Sequence, residues 1–114
     1  MRLEILLSCM NLRDDDIIGR SGIKSDTLVV NQCGEDGYRE FRHGEGDIRI
    51  FSVNDTGLTK SRNFAIRKST ADICLLCDDD EVFADRYEEG ILTAYKEMPE
   101  ADVIIFDIGN RRAR

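Results

Sequence analysis

The chain's 114 residues, 41% hydrophobic and 34% charged, suffice for one buried core and not for two, so a single folded domain is expected and disorder is excluded. Its 23 acidic against 16 basic side chains give a net charge of -7, which argues against nucleic acid or an anionic membrane as a general partner but leaves local anion binding open. No apolar stretch approaches the roughly 20 residues of a membrane span. Met1-Arg2-Leu3 leads straight into an apolar run without a small-residue cleavage site, so a soluble, cytoplasmic protein is expected.

In chain order, a first apolar run from Leu3 to Leu7 is followed by Ser8 and Asn11. A helix can start at Asn11, with Asp14, Asp15 and Asp16 at its positive N-terminal end. The second apolar run, Leu28 to Val30, leads into Asn31 and Gln32. The stretch from Cys33 to Asp47 carries Gly34, Gly37, Gly44 and Gly46 and reads as loop, with at most a short helix around Tyr38 to Phe41. His43, the only histidine, is expected there as a solvated loop residue.

A third run, Ile48 to Val53, ends in Asn54 and Asp55, and a helix follows over Thr59 to Lys68, entered from Gly57 and capped by Thr59. The fourth run, Ile73 to Cys77, leads into Asp78, Asp79, Asp80 and Glu81. Asp85 with Glu88 three residues on resembles a capping box; Tyr87, Ile91, Tyr95 and Met98 then share one helical stripe that Pro99 stops. A fifth run, Val103 to Ile108, contains Asp107, and Gly109 to Arg114 reads as a basic, fraying tail.

Near-continuous Ile, Val and Leu runs suit strands buried on both faces. Strands alternating with helices predict an α/β domain over residues 1–108: a mostly parallel, Rossmann-like sheet of about five strands with helices on both faces. Such a core needs no staples, so Cys9, Cys33, Cys74 and Cys77 are expected as free thiols. Cys74 and Cys77 match CxxC, yet residues three apart in a strand point to opposite faces, which argues against a shared zinc or redox site.

In an open α/β sheet, ligands bind beyond the carboxyl ends of the strands. Every apolar run here is followed by polar residues, so one rim should be polar and largely acidic. Three consecutive aspartates at a strand end repel one another unless a cation sits among them. Magnesium or manganese, which favour hard oxygen ligands and bridge carboxylates to phosphates, is the economical partner for Asp78, Asp79 and Asp80; a solvated acidic turn is the alternative. Gly57, the helix N-terminus it opens, and Lys60 and Arg62 in the first turn make a second constellation, suited to a diphosphate.

The order of these segments (SCMN, VVNQ, GLTKSRNFAI and ADICLLCDDDEVF) resembles the nucleotide-binding half of GT-A glycosyltransferases, in particular the large inverting family that includes bacterial cell-surface polysaccharide enzymes. The resemblance covers roughly residues 2–108. It rests on the helix entry Gly57, Ser61, Arg62, Asn63 and on the acidic strand end that looks like a DxD motif. It implies a nucleotide-diphosphate sugar, UDP-linked in the family's usual case, bound with Mn2+ or Mg2+. Ser8 and Asn11 would lie near the nucleoside, Asn31 where the family usually places a base-contacting Asp, Arg62 and Lys60 beside the nucleotide, and Asp78 with its neighbours at the diphosphate and metal. Asp78 pairs with Asp80 by motif spacing, or with Asp79 when the run is aligned from FADRY. Met10 stands where the family often has an aromatic, and Asn31 replaces a carboxylate, so the base is not fixed.

The family's acceptor-binding half and general base are not identifiable in these residues, which leaves a missing half or self-association open. Two other classes compete. A receiver-type signalling domain shares the length and an acidic magnesium pocket but calls for an acidic pair right after the first strand and a Lys after the fifth. A non-catalytic sugar-nucleotide binder would keep the rim without the transfer.

Overall fold

A computed structural model describes residues 2–12, 14–79, 83, 86–98 and 100. Its elements are β1 (Leu3–Met10), α1 (Asp16–Arg20), β2 (Asp26–Gln32), β3 (Gly37–His43), β4 (Gly46–Val53), α2 (Leu58–Lys68), β5 (Ile73–Asp78) and α3 (Tyr87–Glu97). They form one sheet in the order β3-β4-β2-β1-β5. β4, β2, β1 and β5 are mutually parallel, and β3 runs antiparallel beside β4. This is the expected mostly parallel α/β sheet.

Side-chain alternation sorts the core into two layers. Ile5, Leu7 and Cys9 of β1, Val29 of β2, and Ile48 and Ile50 of β4 face Ile17 and Ile18 of α1, while Leu3 and Ile73 meet Ile91 of α3. On the other face Leu6, Leu28 and Val30 pack under Ala65 and Phe64 of α2. Helices therefore cover both faces. β1 and β2 are buried on both sides, as their unbroken apolar runs require. β5 is not: Ile73 and Cys77 are buried, Cys74 is exposed and Leu76 is 43% exposed, because α2 lies over β1 and β2 and stops short of β5. Cys74 and Cys77 accordingly point to opposite faces, and the four cysteines are free thiols.

The stretch expected as loop or short helix is instead strand β3, with its hairpin partner β4. It hid because both its faces are exposed apart from the half-buried Phe41, so no apolar period marks it. His43 ends this strand, exposed as expected but not in a loop. Gly46 opens β4 against the chain entering β2: a Cβ there would sit 2.4 Å from the Ser25 carbonyl oxygen, which explains the glycine by close backbone approach.

Other local expectations shift. The first helix begins at Asp16, not Asn11, because Asn11 has φ +50 and its N–H is spent on the Gln32 carbonyl. Helix α2 is entered from Gly57 itself, at φ +103, and Thr59 lies inside the first turn with no capping bond. α3 starts after Arg86, in the left-handed region at φ +62, with Glu88 and Glu89 in its first turn. Tyr87 and Tyr95 are half-buried and Ile91 buried, whereas Met98 leaves the stripe, 46% exposed. Asp85, Pro99, the run Val103–Ile108 with Asp107, and the tail from Gly109 lie outside the described residues.

Two polar contacts fasten α2 to β1. Ser61 Oγ donates to Ser8 Oγ at 2.8 Å, and Ser69 Oγ, just past the helix end, donates to Glu4 Oε1 at 2.6 Å. Glu4 is fully buried, and its carboxylate also accepts from Arg49 Nη2 of β4 at 2.9 and 3.2 Å. Removing the guanidinium leaves a buried charge with only the Ser69 hydroxyl and the more distant Arg2, at 3.8 Å, to compensate it. Arg49→Ala is expected to cost about 3 kcal/mol in urea unfolding, and Glu4→Gln less. Ser8→Ala, which strands the buried Ser61 hydroxyl, should cost about 1–2 kcal/mol, while Ser8→Ala with Ser61→Ala should cost less than the sum of the two single changes.

Candidate functional site

Because β1, β2, β4 and β5 are parallel, their polar ends converge at one rim, as the sequence pattern requires. Ser8 of β1 lies in register with Val30 of β2 on one side and Asp78 of β5 on the other, and Cys9 lies opposite Asn31. The N-terminus of α2 sits over these strand ends. Gln32 Nε2 donates to the Gly57 carbonyl at 2.9 Å, tying the helix entry to β2. The first bond of the helix runs from the Ser61 N–H to the Gly57 carbonyl, so the N–H groups of Leu58, Thr59 and Lys60 have no partner within the helix.

Arg62 projects from α2 toward β5, with Nη2 3.4 Å from Asp78 Oδ1. Its Nε is buried and has no hydrogen-bond acceptor among the described residues. The side chain as a whole is 40% exposed, so the rest of the guanidinium stays open at the rim beside the strand-end carboxylate. Asp79 follows, exposed. Asp80 lies outside the described residues, and among those described no three His, Cys, Asp or Glu side chains gather as a metal cage. Asp78 and Asp79 nevertheless supply the hard oxygen donors that magnesium or manganese favours, so the residues present fit such an ion shared with a diphosphate.

Lys60 is separated from Arg62. It points to the β4 side of α2, 3.3 Å from Asp55 Oδ1, into an open cavity of about 600 Å³ lined by Gln32, Asp36, Asn54, Asp55, Lys60 and Asn63. Two positions apart on a helix is about 200° of rotation, and this separates two cations that the sequence lists side by side. Asn31 is buried, and its Oδ1 accepts the Leu12 N–H at 2.9 Å and lies 3.9 Å from Cys9 Sγ. The amide thus organises the loop after β1. Asn11, in that loop, is exposed and in the left-handed region. Ser8, Arg62 and Asp78 therefore form one group, Lys60 a second across the helix, and Asn11 and Asn31 a third at the end of β1. The clamp from Gln32 to Gly57 was not singled out in the sequence. Its only signal there is a polar residue closing an apolar run.

The exit of the acidic run is anchored. The Phe83 N–H donates to the Ser21 carbonyl at 2.7 Å, and the Phe83 ring packs on Tyr87. The Tyr87 hydroxyl in turn accepts from the Lys24 and Ser25 N–H groups at 2.8 and 3.1 Å. These bonds set α3 against the entry to β2.

Burial pushes the Cys9 thiol up to about 12, with the charge of Asp79 and the neighbouring Cys33 adding to the effect. Only the thiolate reacts, so Cys9 should be inert in the folded protein. Iodoacetamide at about pH 8 is expected to modify Cys74 and then Cys33, and to reach Cys9 and Cys77 only on unfolding. Mass spectrometry of native and urea-unfolded protein checks this order, and early loss of the Cys9 thiol would contradict it.

The sequence model of glycosyl transferase family 2 matches residues 17–112, which takes in all of α1 but its first residue, the helix entry at Gly57, Arg62 and the acidic end of β5. No curated protein and no solved structure gives a significant match. The antiparallel β3 beside β4 also departs from the all-parallel sheet that a receiver domain calls for. With the match covering most of the chain, this protein belongs to glycosyl transferase family 2.

Proposed function

We propose that the rim is the donor side of a sugar transferase, taking a nucleoside diphosphate sugar, UDP-linked in the first instance, together with Mn2+ or Mg2+. The observation that carries this reading is Arg62, whose side chain is 40% exposed at the rim while its Nη2 reaches toward Asp78. A diphosphate gives the open part of that guanidinium an acceptor and gives the aspartates a shared cation. Asp78, Asp79 and Asp80 are the residues to hold the ion. Bound there, it would supply positive charge against the charge that builds on a leaving diphosphate.

The remaining assignments extend the family resemblance, and the positions of these residues support them. Ser8 is fixed by Ser61 beneath the helix entry and bounds the site from β1. Asn11 and Asn31 lie at the nucleoside end, Asn31 through the loop that it holds in place. Lys60 approaches from the cavity on the other side of α2. The N–H groups at the start of α2, which have no partner within the helix, favour negative charge at the same point. A role in cell-surface polysaccharide synthesis, with the domain facing the cytoplasm, extends this reading along the family resemblance. Among the described residues no helix is long and apolar enough to cross a membrane.

Calorimetric titration of UDP, GDP and ADP with and without Mn2+ tests the proposal. UDP is expected to bind with Mn2+ present and at least about tenfold more weakly without it. Asp79 is exposed, so Asp79→Asn should leave the melting temperature unchanged or slightly raised while removing the Mn2+ dependence. Arg62→Lys keeps the charge but not the planar fork and is expected to weaken binding about tenfold. Equal heats with and without metal, or none for any nucleotide, would overturn the reading.

A further inference from the structure

The edge of the sheet opposite β5 is β3, seven residues long and exposed on both faces except for the half-buried Phe41. An edge of this kind presents unpaired backbone groups that another strand can use, unless its side chains forbid it. Gly44 and Glu45 form the two-residue turn between His43 and Gly46, which close the hairpin with β4. In such a hairpin the closing pair exchanges both backbone bonds. Alternation then aims the backbone groups of Phe41 and Arg39 at β4 and those of Arg42, Glu40 and Tyr38 away from the sheet.

From this edge we infer that two copies of the chain pair through antiparallel β3 strands, centred on Phe41, to form one continuous sheet. Two-fold symmetry keeps each side chain on its own face, so the axis must pass through a single residue position. Centring on Arg39, Glu40 or Arg42 sets identical charges directly against each other. Centring on Phe41 sets the two aromatic rings together and places Glu40 opposite the partner's Arg42, with Arg42 opposite the partner's Glu40. The outward backbone groups of residues 40 and 42 are then the ones that meet.

Charge continues the pattern across both molecules. Within one chain, Glu40 lies beside Arg49 of β4 and Arg42 beside Asp47, the latter pair bonded at 2.6 Å. Across the two-fold axis, one row on that face reads Arg49, Glu40, the partner's Arg42, the partner's Asp47. The signs alternate throughout, and the symmetric row repeats them. Opposite charges facing across strands are stabilising and like charges the reverse. On the other face Arg39, held by the Asp15 carboxylate, meets the partner's His43. The edge is therefore self-complementary in the register centred on Phe41, and the partner that it fits is a second copy.

Sedimentation velocity of the whole chain, at concentrations up to about 0.5 mM, is expected to show a concentration-dependent dimer. Glu40→Arg and Arg42→Glu alone should each be monomeric, with circular dichroism melts confirming the fold. Mixed, they should form a heterodimer, because Arg at position 40 then meets Glu at position 42 and Arg42 meets Glu40. Hydrogen exchange should protect the Glu40 and Arg42 amides in the dimer and leave them fast in either variant alone. A wild-type chain that stays monomeric, a dimer unaffected by Glu40→Arg, or variants that fail to combine would each overturn the proposal.

Discussion

The arrangement at the rim depends on how α2 is fastened to β1. Positions 61, 65 and 69 lie one helical turn apart, over Ser8, Leu6 and Glu4 of the strand. The contact is polar at each end, with Ala65 in the same buried layer as Leu6 between them. Eight residues of helix and four of strand both advance by roughly 12–13 Å, so one antiparallel alignment satisfies all three positions. Sliding the helix by a turn would take from the buried Ser8 its partner and from the buried Glu4 one of its donors. The cost of an unsatisfied buried hydroxyl or carboxylate thus holds the helix in register, and that register is what aims Arg62 at Asp78.

Such a fastening suits a rim that presents charge of both signs. The strand end offers carboxylates, and the helix entry offers N–H groups and a partly exposed guanidinium. Neither would be well placed on a mobile loop. Each is instead tied to β1, a central parallel strand buried on both faces. Gln32 adds a third tie from β2 to Gly57, and Phe83 and Tyr87 secure the chain beyond the acidic run. The two edges of the sheet differ from this centre. β5 keeps one face open beyond α2, while β3 stands apart from the main layers and carries alternating charge.

The two edges also show why periodicity is an uneven guide. An apolar run marks a strand only when burial selects for it. β1, β2, β4 and β5 lie in or beside the core and were legible, as were helix α3 from its stripe and the acidic residues at its start and helix α2 from the glycine at its entry. β3 was not legible, since of its side chains only Phe41 is even half-buried. The stretch around it read as loop in part because Gly46, opening β4, answers a tertiary demand, the approach of the Ser25 carbonyl, which no local rule contains.

The sequence by itself determined the parallel α/β class, the polar rim formed by residues that close successive apolar runs, the opposite faces of Cys74 and Cys77, and the family, through the Gly57 to Asn63 entry and the aspartate run. These depend on order and period, which the chain carries along its length. Only the tertiary structure decided which polar groups are spent and which are free. The Asn31 oxygen goes to the Leu12 N–H, Lys60 turns to Asp55 and away from Arg62, the Ser61 hydroxyl is given to Ser8, and Arg62 Nε is left without an acceptor. A hydrogen bond needs a partner within about 3.5 Å, and which residues from distant parts of the chain come that close is settled only when helix and strands are packed together.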